Sequence, residues 1–150
     1  MKLVIQRVKN ANVIVETNLI NEIDAGLMIL VGIHEDDEKS DAEWLATKVS
    51  KMRIFSDLEG KMNLSIKDVN GQILAISQFT LYAQTAKGNR PSFVNAAKAE
   101  KATVLYDYFC EILNSQECIT CKKGIFGADM QVSLCNDGPV TIVIDSRNKE

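Results

Sequence analysis

A chain of 150 residues, 46% apolar and 25% charged, suits one folded domain with a sizeable core and excludes a disordered polymer. A formal charge of −3 excludes a protein that grips nucleic acid by bulk electrostatics, but not one that reads a nucleic-acid end through a pocket. The longest apolar stretch, Gly26–Ile33, is too short to span a bilayer, and Arg7 and Lys9 interrupt the amino-terminal run, so neither membrane insertion nor export is expected and a cytoplasmic protein is.

Lys2–Val8 and Asn12–Glu16 read as two strands with a turn near Asn10-Ala11. Leu19–Ile23 reads as a third strand. Gly26–Ile33 reads as a fourth, apolar enough to be buried on both faces. Strands this close in sequence pair antiparallel, because a parallel crossover needs about a dozen residues. His34–Glu38 reads as a solvated acidic loop feeding a helix. Ser40-x-x-Glu43 has the pattern of a capping box, and the helix runs to about Met52 with Leu45, Val49 and Met52 on one face. Trp44 lies off that stripe and is expected to pack at its edge.

Arg53–Ser56 is a brief strand, and turns follow at Asp57–Gly60 and Asn70-Gly71. Gln72–Phe79 is another strand, whose alternation would put Ser77, Phe79 and Leu81 on one face, and Gln78 and Thr80 on the other. A polar loop, Gln84–Pro91, carries Lys87 and Arg90. A second helix starts near Ser92 or Asn95 and reaches Leu113, with an apolar stripe repeating every four residues. Ile119–Lys122 is a short strand. Met130–Cys135 and Val140–Ile144 are two more, flanking Asn136-Asp137-Gly138-Pro139. Locally, that tetrapeptide reads as an ordinary hairpin connection; a Gly-Pro pair held out for a purpose is the other reading. The order of elements implies one α/β mixed domain over residues 1–150. Its architecture is three-layer α/β/β, with antiparallel-rich sheets, barrel-like closure and two main helices on one face.

Common catalytic arrangements are mostly absent. A Ser-His-Asp triad would have to recruit His34, the one histidine, which reads as an exposed loop residue. Cys118-Ile-Thr-Cys121 has the spacing of half a zinc site or a redox pair, but a second CxxC is missing, and buried or incidental thiols are expected. The stretch Ser77-Gln78-Phe79-Thr80-Leu81 stands out by placing two hydroxyls and an amide at the end of an apolar strand.

SQFTLYA at 77–83, KGNRPSF at 87–93, FGADMQVSL at 126–134 and NDGPVT at 136–141 together resemble the D-aminoacyl-tRNA deacylase family. IQRV at 5–8, RIF at 53–55 and GKMNLS at 60–65 fit as well, so the resemblance runs the length of the chain. One departure is Gln84-Thr85, where relatives often carry an acidic residue.

The resemblance implies a homodimer that hydrolyses D-aminoacyl-tRNA and mischarged glycyl-tRNA, with no metal, no organic cofactor and no DNA partner. It implies that Gly138-Pro139 is a Gly-cis-Pro motif, inserted into the other subunit's site to reject L-amino acids by steric exclusion, with Arg7 holding it. The amides of Phe79 and Thr80 would bind the ester carbonyl oxygen, and Ser77 and Gln78 would position adenosine and ester. Phe126 and Met130 are candidates for the adenine pocket. Lys87 and Arg90 are candidates for phosphate contacts. Either the Thr80 hydroxyl is the nucleophile, or the tRNA 2′-hydroxyl assists water. The missing base favours the second. A non-catalytic nucleic-acid-binding module and a relaxed relative acting on L-alanyl-tRNA are the alternatives.

Overall fold

The computed structural model describes residues 1–149. Its elements in chain order are β1 (Lys2–Val15), β2 (Asn18–Ile23), β3 (Gly26–Gly32), α1 (Lys39–Lys51), β4 (Phe55–Ser56), β5 (Met62–Leu64) and β6 (Gln72–Ser77). A 3₁₀ turn (Phe79–Tyr82), α2 (Ala99–Ser115), β7 (Thr120–Lys123) and β8 (Met130–Asp145) follow. The main sheet runs β2-β1-β3-β6-β7, and β8 pairs with the other side of β1. The neighbours of β1 are all antiparallel to it: the short connection requires this of β2, β3 continues in the direction of β2 along β1, and β8 returns from the far end of the chain. The β3–β6 and β6–β7 pairs are parallel. Their connections contain α1 and α2 respectively, and both helices cover the same face.

Two apolar cores account for the layering. Between helices and sheet, Leu45 and Val49 of α1 and Leu105, Phe109 and Leu113 of α2 pack on Leu3, Ile5, Ile29 and Ile73. On the other side of the sheet, Met28, Leu74 and Ile76 pack with Val8, Ala11 and Val13 of β1 and with Val132 and Leu134 of β8. β3 serves both cores and is buried along nearly its whole length. Asn21 of β2 donates to the Lys123 carbonyl of β7 (2.6 Å), and Lys122 returns a bond to the Glu22 carbonyl (2.7 Å). These contacts bring the two ends of the sheet almost together, which is the barrel-like closure.

Several local expectations are corrected. There is no turn at Asn10-Ala11: β1 is one strand, because β8 pairs with it from Lys2 to Val15. Nor is Asn136–Pro139 a hairpin connection, for β8 is also one strand. The register along this pair steps from Gln6↔Thr141 to Val8↔Asn136, so the four residues Asp137–Val140 stand opposite Arg7 alone. The result is a bulge, located where the pair passes from one core to the other. β8 places Val140, Ile142 and Ile144 against the helix-side core, and Met130, Val132 and Leu134 against the second.

The box at the start of α1 is formed by Glu38 and Asp41 rather than Ser40 and Glu43, and the helix begins two residues earlier than the Ser40 reading placed it. α2 begins only at Ala99. The acidic loop is not wholly solvated. Asp37 is fully buried, paired with the terminal amine of Met1 at 2.6 Å, and accepts from the His34 amide at 2.6 Å. His34 is also buried, with its ring edge-on to Tyr82 at 5.1 Å. Trp44 sits at the core's edge, with the Lys48 ammonium over its ring. Among the described residues, no helix is long and apolar enough to cross a membrane.

Candidate active site

β6 ends at Ser77, and the chain then tightens into the 3₁₀ turn. The two-face alternation expected for Ser77–Leu81 therefore stops at Gln78. The Gln78 amide still donates to the Val31 carbonyl (2.8 Å), which anchors the turn beside β3. Phe79 and Thr80 open the turn, where backbone N–H groups lack an acceptor within it. Gly32 makes the close approach possible: a Cβ there would lie 3.0 Å from Leu81 Cβ and 3.2 Å from the Gln78 carbonyl oxygen.

A cavity of about 440 Å³ opens at this end of β3 and β6. Carboxyl ends of parallel strands are common ligand sites, since the chain leaves the sheet there. Ser77, Gln78 and Phe79 line one part; Phe126 and Met130, from the β7–β8 connection and the start of β8, line another. Small residues at the head of α2, Ala97, Ala99 and Ala102, keep the space open. Phe126 is steadied by the ring of Tyr106, 6.0 Å away. Tyr106 is itself held by its hydroxyl, which donates to the Ala75 carbonyl (2.8 Å); burial pushes that phenol's pKa well up. Met130 lies over Gly124, where a Cβ would meet its sulfur at 2.6 Å.

Thr80 is exposed and is not among the cavity's lining residues. Gln78 Nε2 donates to its hydroxyl oxygen. His34 is not part of the cavity either, and its Nδ1 accepts from the Asp36 amide (3.1 Å), so it makes no triad with Ser77 or Thr80. Lys87 and Arg90 are exposed on a loop clasped by the Gln84–Ser92 backbone pair, outside the cavity. Phe93, after that loop, packs edge-on against Phe79 at 5.0 Å. Cys118 is exposed and Cys121 buried, and among the described residues no group of three or more metal-binding side chains forms.

The Gly138-Pro139 bond is cis, and both residues are exposed on the bulge. Buried Arg7 reaches it from β1, with Nε donating to the Asp137 carbonyl (3.1 Å) and lying 3.3 Å from the Asp137 carboxylate. Another guanidinium nitrogen donates to the Ile54 carbonyl at 2.7 Å. Met130 and Gly138 lie on one strand, roughly 25 Å apart at the usual rise per residue. The bulge is thus remote from its own chain's cavity.

Sequence reading singled out neither Gly32 nor Tyr106, nor the Ile54 anchor. It also passed over Asp129, which lines the cavity beside Met130. Asp129 lay within the FGADM segment already noted; the others act through contacts distant in sequence.

A model of the D-Tyr-tRNA(Tyr) deacylase family matches residues 4–145. The D-aminoacyl-tRNA deacylases of Flavobacterium psychrophilum and Porphyromonas gingivalis are each 53% identical to this chain, over all of both sequences. Among solved structures, the c-Myc DNA unwinding element binding protein superposes with a TM-score of 0.90 at 39% identity, covering 97% of this chain and 98% of that one. A probable eukaryotic D-amino acid tRNA deacylase superposes at 0.80 with 16% identity, over 95% and 97%, a likeness of fold. With a family match spanning nearly the whole chain and relatives identical at more than half of all positions, this protein belongs to the D-aminoacyl-tRNA deacylase family of hydrolases.

Proposed function

We propose that this protein works in the cytoplasm as a homodimer. It hydrolyses the ester between a D-amino acid, or mischarged glycine, and the terminal adenosine of tRNA, and it spares L-aminoacyl-tRNA. The observation that carries this reading is one cavity shared by Ser77, Gln78 and Phe79 with Phe126 and Met130. The first group is polar and sits at a tight backbone turn. The second is apolar and suits a base.

In this reading the adenine lies between Phe126 and Met130. Ser77 and Gln78 orient the ribose and the ester. The Phe79 and Thr80 amides take up the negative charge that grows on the carbonyl oxygen during attack. The attacking water is assisted by the 2′-hydroxyl of the same adenosine. Thr80 is a poor candidate for nucleophile because its hydroxyl accepts from Gln78 and has no basic side chain beside it. The chemistry uses no metal and no organic cofactor. Lys87 and Arg90 meet phosphates of the acceptor end.

Gly138-Pro139 supplies stereochemical selection to a second copy of the chain. Its distance from its own cavity supports this, as does its exposure on a bulge fixed by Arg7. Beside the bulge, Val143 is 63% exposed and pairs with Val4, an apolar surface suited to a partner copy. An L side chain would collide with the inserted pair. A D side chain points away, and glycine has nothing to reject.

One assay on D-aminoacyl-, L-aminoacyl- and glycyl-tRNA tests the reading. Hydrolysis of the D and glycyl esters with the L ester spared is expected. L-alanyl hydrolysis would instead indicate a relaxed filter. Inactivity on every ester would favour a nucleic-acid-binding module. Thr80→Ala should retain near-normal turnover, and a trapped acyl-threonine would overturn the assisted-water mechanism.

A further inference from the structure

The 3₁₀ turn at Phe79–Tyr82 is held at its start by the Gln78 amide on the Val31 carbonyl (2.8 Å). Short 3₁₀ segments have poor hydrogen-bond geometry and hold themselves weakly, so the far end needs an anchor of its own. Of the four side chains in the turn, only that of Tyr82, the last, is buried, whereas Phe79 at the start is 57% exposed. The Tyr82 ring is enclosed on several sides. Gly32 lies against it, since a Cβ there would meet Cε2 at 3.3 Å. The Lys2 ammonium sits over the ring at 5.0 Å, and the His34 imidazole meets it edge-on at 5.1 Å. The Tyr82 hydroxyl is buried and meets no hydrogen-bond partner among the described residues, so Tyr82 is held through its ring.

His34 is placed by its backbone, independently of its ring. Its amide donates to the buried Asp37 carboxylate (2.6 Å). It also forms a bridge with Ala96, flanked by the Glu35 amide on the Asn95 carbonyl (3.0 Å) and the Ala97 amide on the Ile33 carbonyl (2.9 Å). Ala97 lines the cavity. The His34 ring therefore extends from a segment tied to one wall and presses on the residue that ends the turn beside another. Edge-to-face contact between rings is directional as well as attractive. We infer that His34 is a positioning residue for ester hydrolysis: its ring, edge-on to Tyr82, fixes the carboxyl end of the turn and so sets where the Phe79 and Thr80 amides stand. His34 acts through Tyr82 and takes no part in proton transfer, since it lies outside the cavity. The inference rests on the deacylase reading above.

Two substitutions at His34 separate this role from ordinary packing. His34→Asn keeps a side-chain acceptor for the Asp36 amide, which Nδ1 accepts from at 3.1 Å, but removes the ring. His34→Phe keeps a ring and removes the acceptor. On D-tyrosyl-tRNA, His34→Asn should lower kcat about tenfold with KM little altered, because displaced amides fail the transition state while substrate binding stands. His34→Phe should restore kcat to within about threefold of the unaltered protein, since the edge-on ring contact returns. Tyr82→Leu should lower kcat as His34→Asn does, and the two together should lower it no further, the mark of one shared contact. Rates are taken per folded chain, with thermal unfolding of each variant giving the folded fraction. A normal kcat in His34→Asn, a failure of His34→Phe to restore it, or multiplied losses in the double variant would each overturn the inference. If the unaltered protein hydrolyses no D-aminoacyl-tRNA, the deacylase reading falls, and the inference with it.

Discussion

Arg7 Nε donates to the Asp137 carbonyl while another nitrogen of the same guanidinium donates to the Ile54 carbonyl. One buried side chain therefore ties the Gly-Pro bulge of β8 to the segment before β4. The fork geometry is what a lysine cannot copy. Arg7→Lys should lower D-aminoacyl-tRNA hydrolysis by about a hundredfold, the scale of a misplaced reacting geometry. It should also narrow the ratio of D to L hydrolysis. Parallel kinetics on both enantiomers would check this, and an unchanged ratio would remove Arg7 from a positioning role.

Gly138 has a φ of +123°, and a Cβ there would lie 3.0 Å from both an Arg7 nitrogen and Val140 Cγ2. Gly138→Ala should disable the bulge at a cost of about 1–3 kcal/mol in stability. Gln78→Ala should disable the cavity. Gln78→Ala alone should be nearly inactive, while Gly138→Ala should hydrolyse the L ester that the intact filter rejects. Co-refolded in equal amounts, the L-ester hydrolysis contributed by Gly138→Ala should fall to about half, since half of its chains enter mixed dimers whose one working cavity faces an intact bulge. No fall, with mixed dimers verified by mass, would mean that the two motifs do not act across subunits.

Gly32 matters for a different reason. Its Cα faces the turn that carries Phe79 and Thr80, and a Cβ would press on both Leu81 and the Gln78 carbonyl. Gly32→Ala should push the turn by a few tenths of an ångström. The expected signature is a fall in kcat of about tenfold or more with KM little altered, because amides that meet the transition state are displaced while the base wall is not. A rise in KM alone would assign Gly32 to binding.

The four thiols should divide by burial. Cys118 is exposed. Cys110 and Cys121 are buried and lie within hydrogen-bonding reach of each other, and that contact together with burial pushes the Cys110 pKa up. Thiolates are the reactive form, so Cys118 should label rapidly with a disulfide reagent at pH 8, while Cys110 and Cys121 label only on unfolding. Timed labelling followed by peptide mass analysis reads this out. Rapid labelling of Cys121 would contradict the packing of α2 on β7.

Much of this was legible in the chain. Gly26–Gly32 is apolar because both faces are covered, and continuous hydrophobicity announces that. The stripe of α2 and the polar residues ending β6 were equally plain. What escaped reading depended on distant partners. Nothing near Asn10 or Asn136 reveals that each segment continues through its turn-forming residues, because the pairing that straightens them lies more than a hundred residues away. Asp37 and His34 look like solvated loop residues until the amine of Met1 and the ring of Tyr82 come to meet them. Glu38 and Asp41 compete with Ser40 and Glu43 for the helix start, and the pattern of caps alone does not choose between them.

β8 begins at the base wall and carries the Gly-Pro bulge further along the same rail, so the strand acts as a ruler. A point substitution on its outer side leaves the ruler's length intact. A single inserted or deleted residue between Met130 and Gly138 does not, since it changes the reach and turns every following side chain to the opposite face. Substitutions on the outer side of β8 are therefore borne more easily than any change in its length between the two stations, since the inner side packs on both cores.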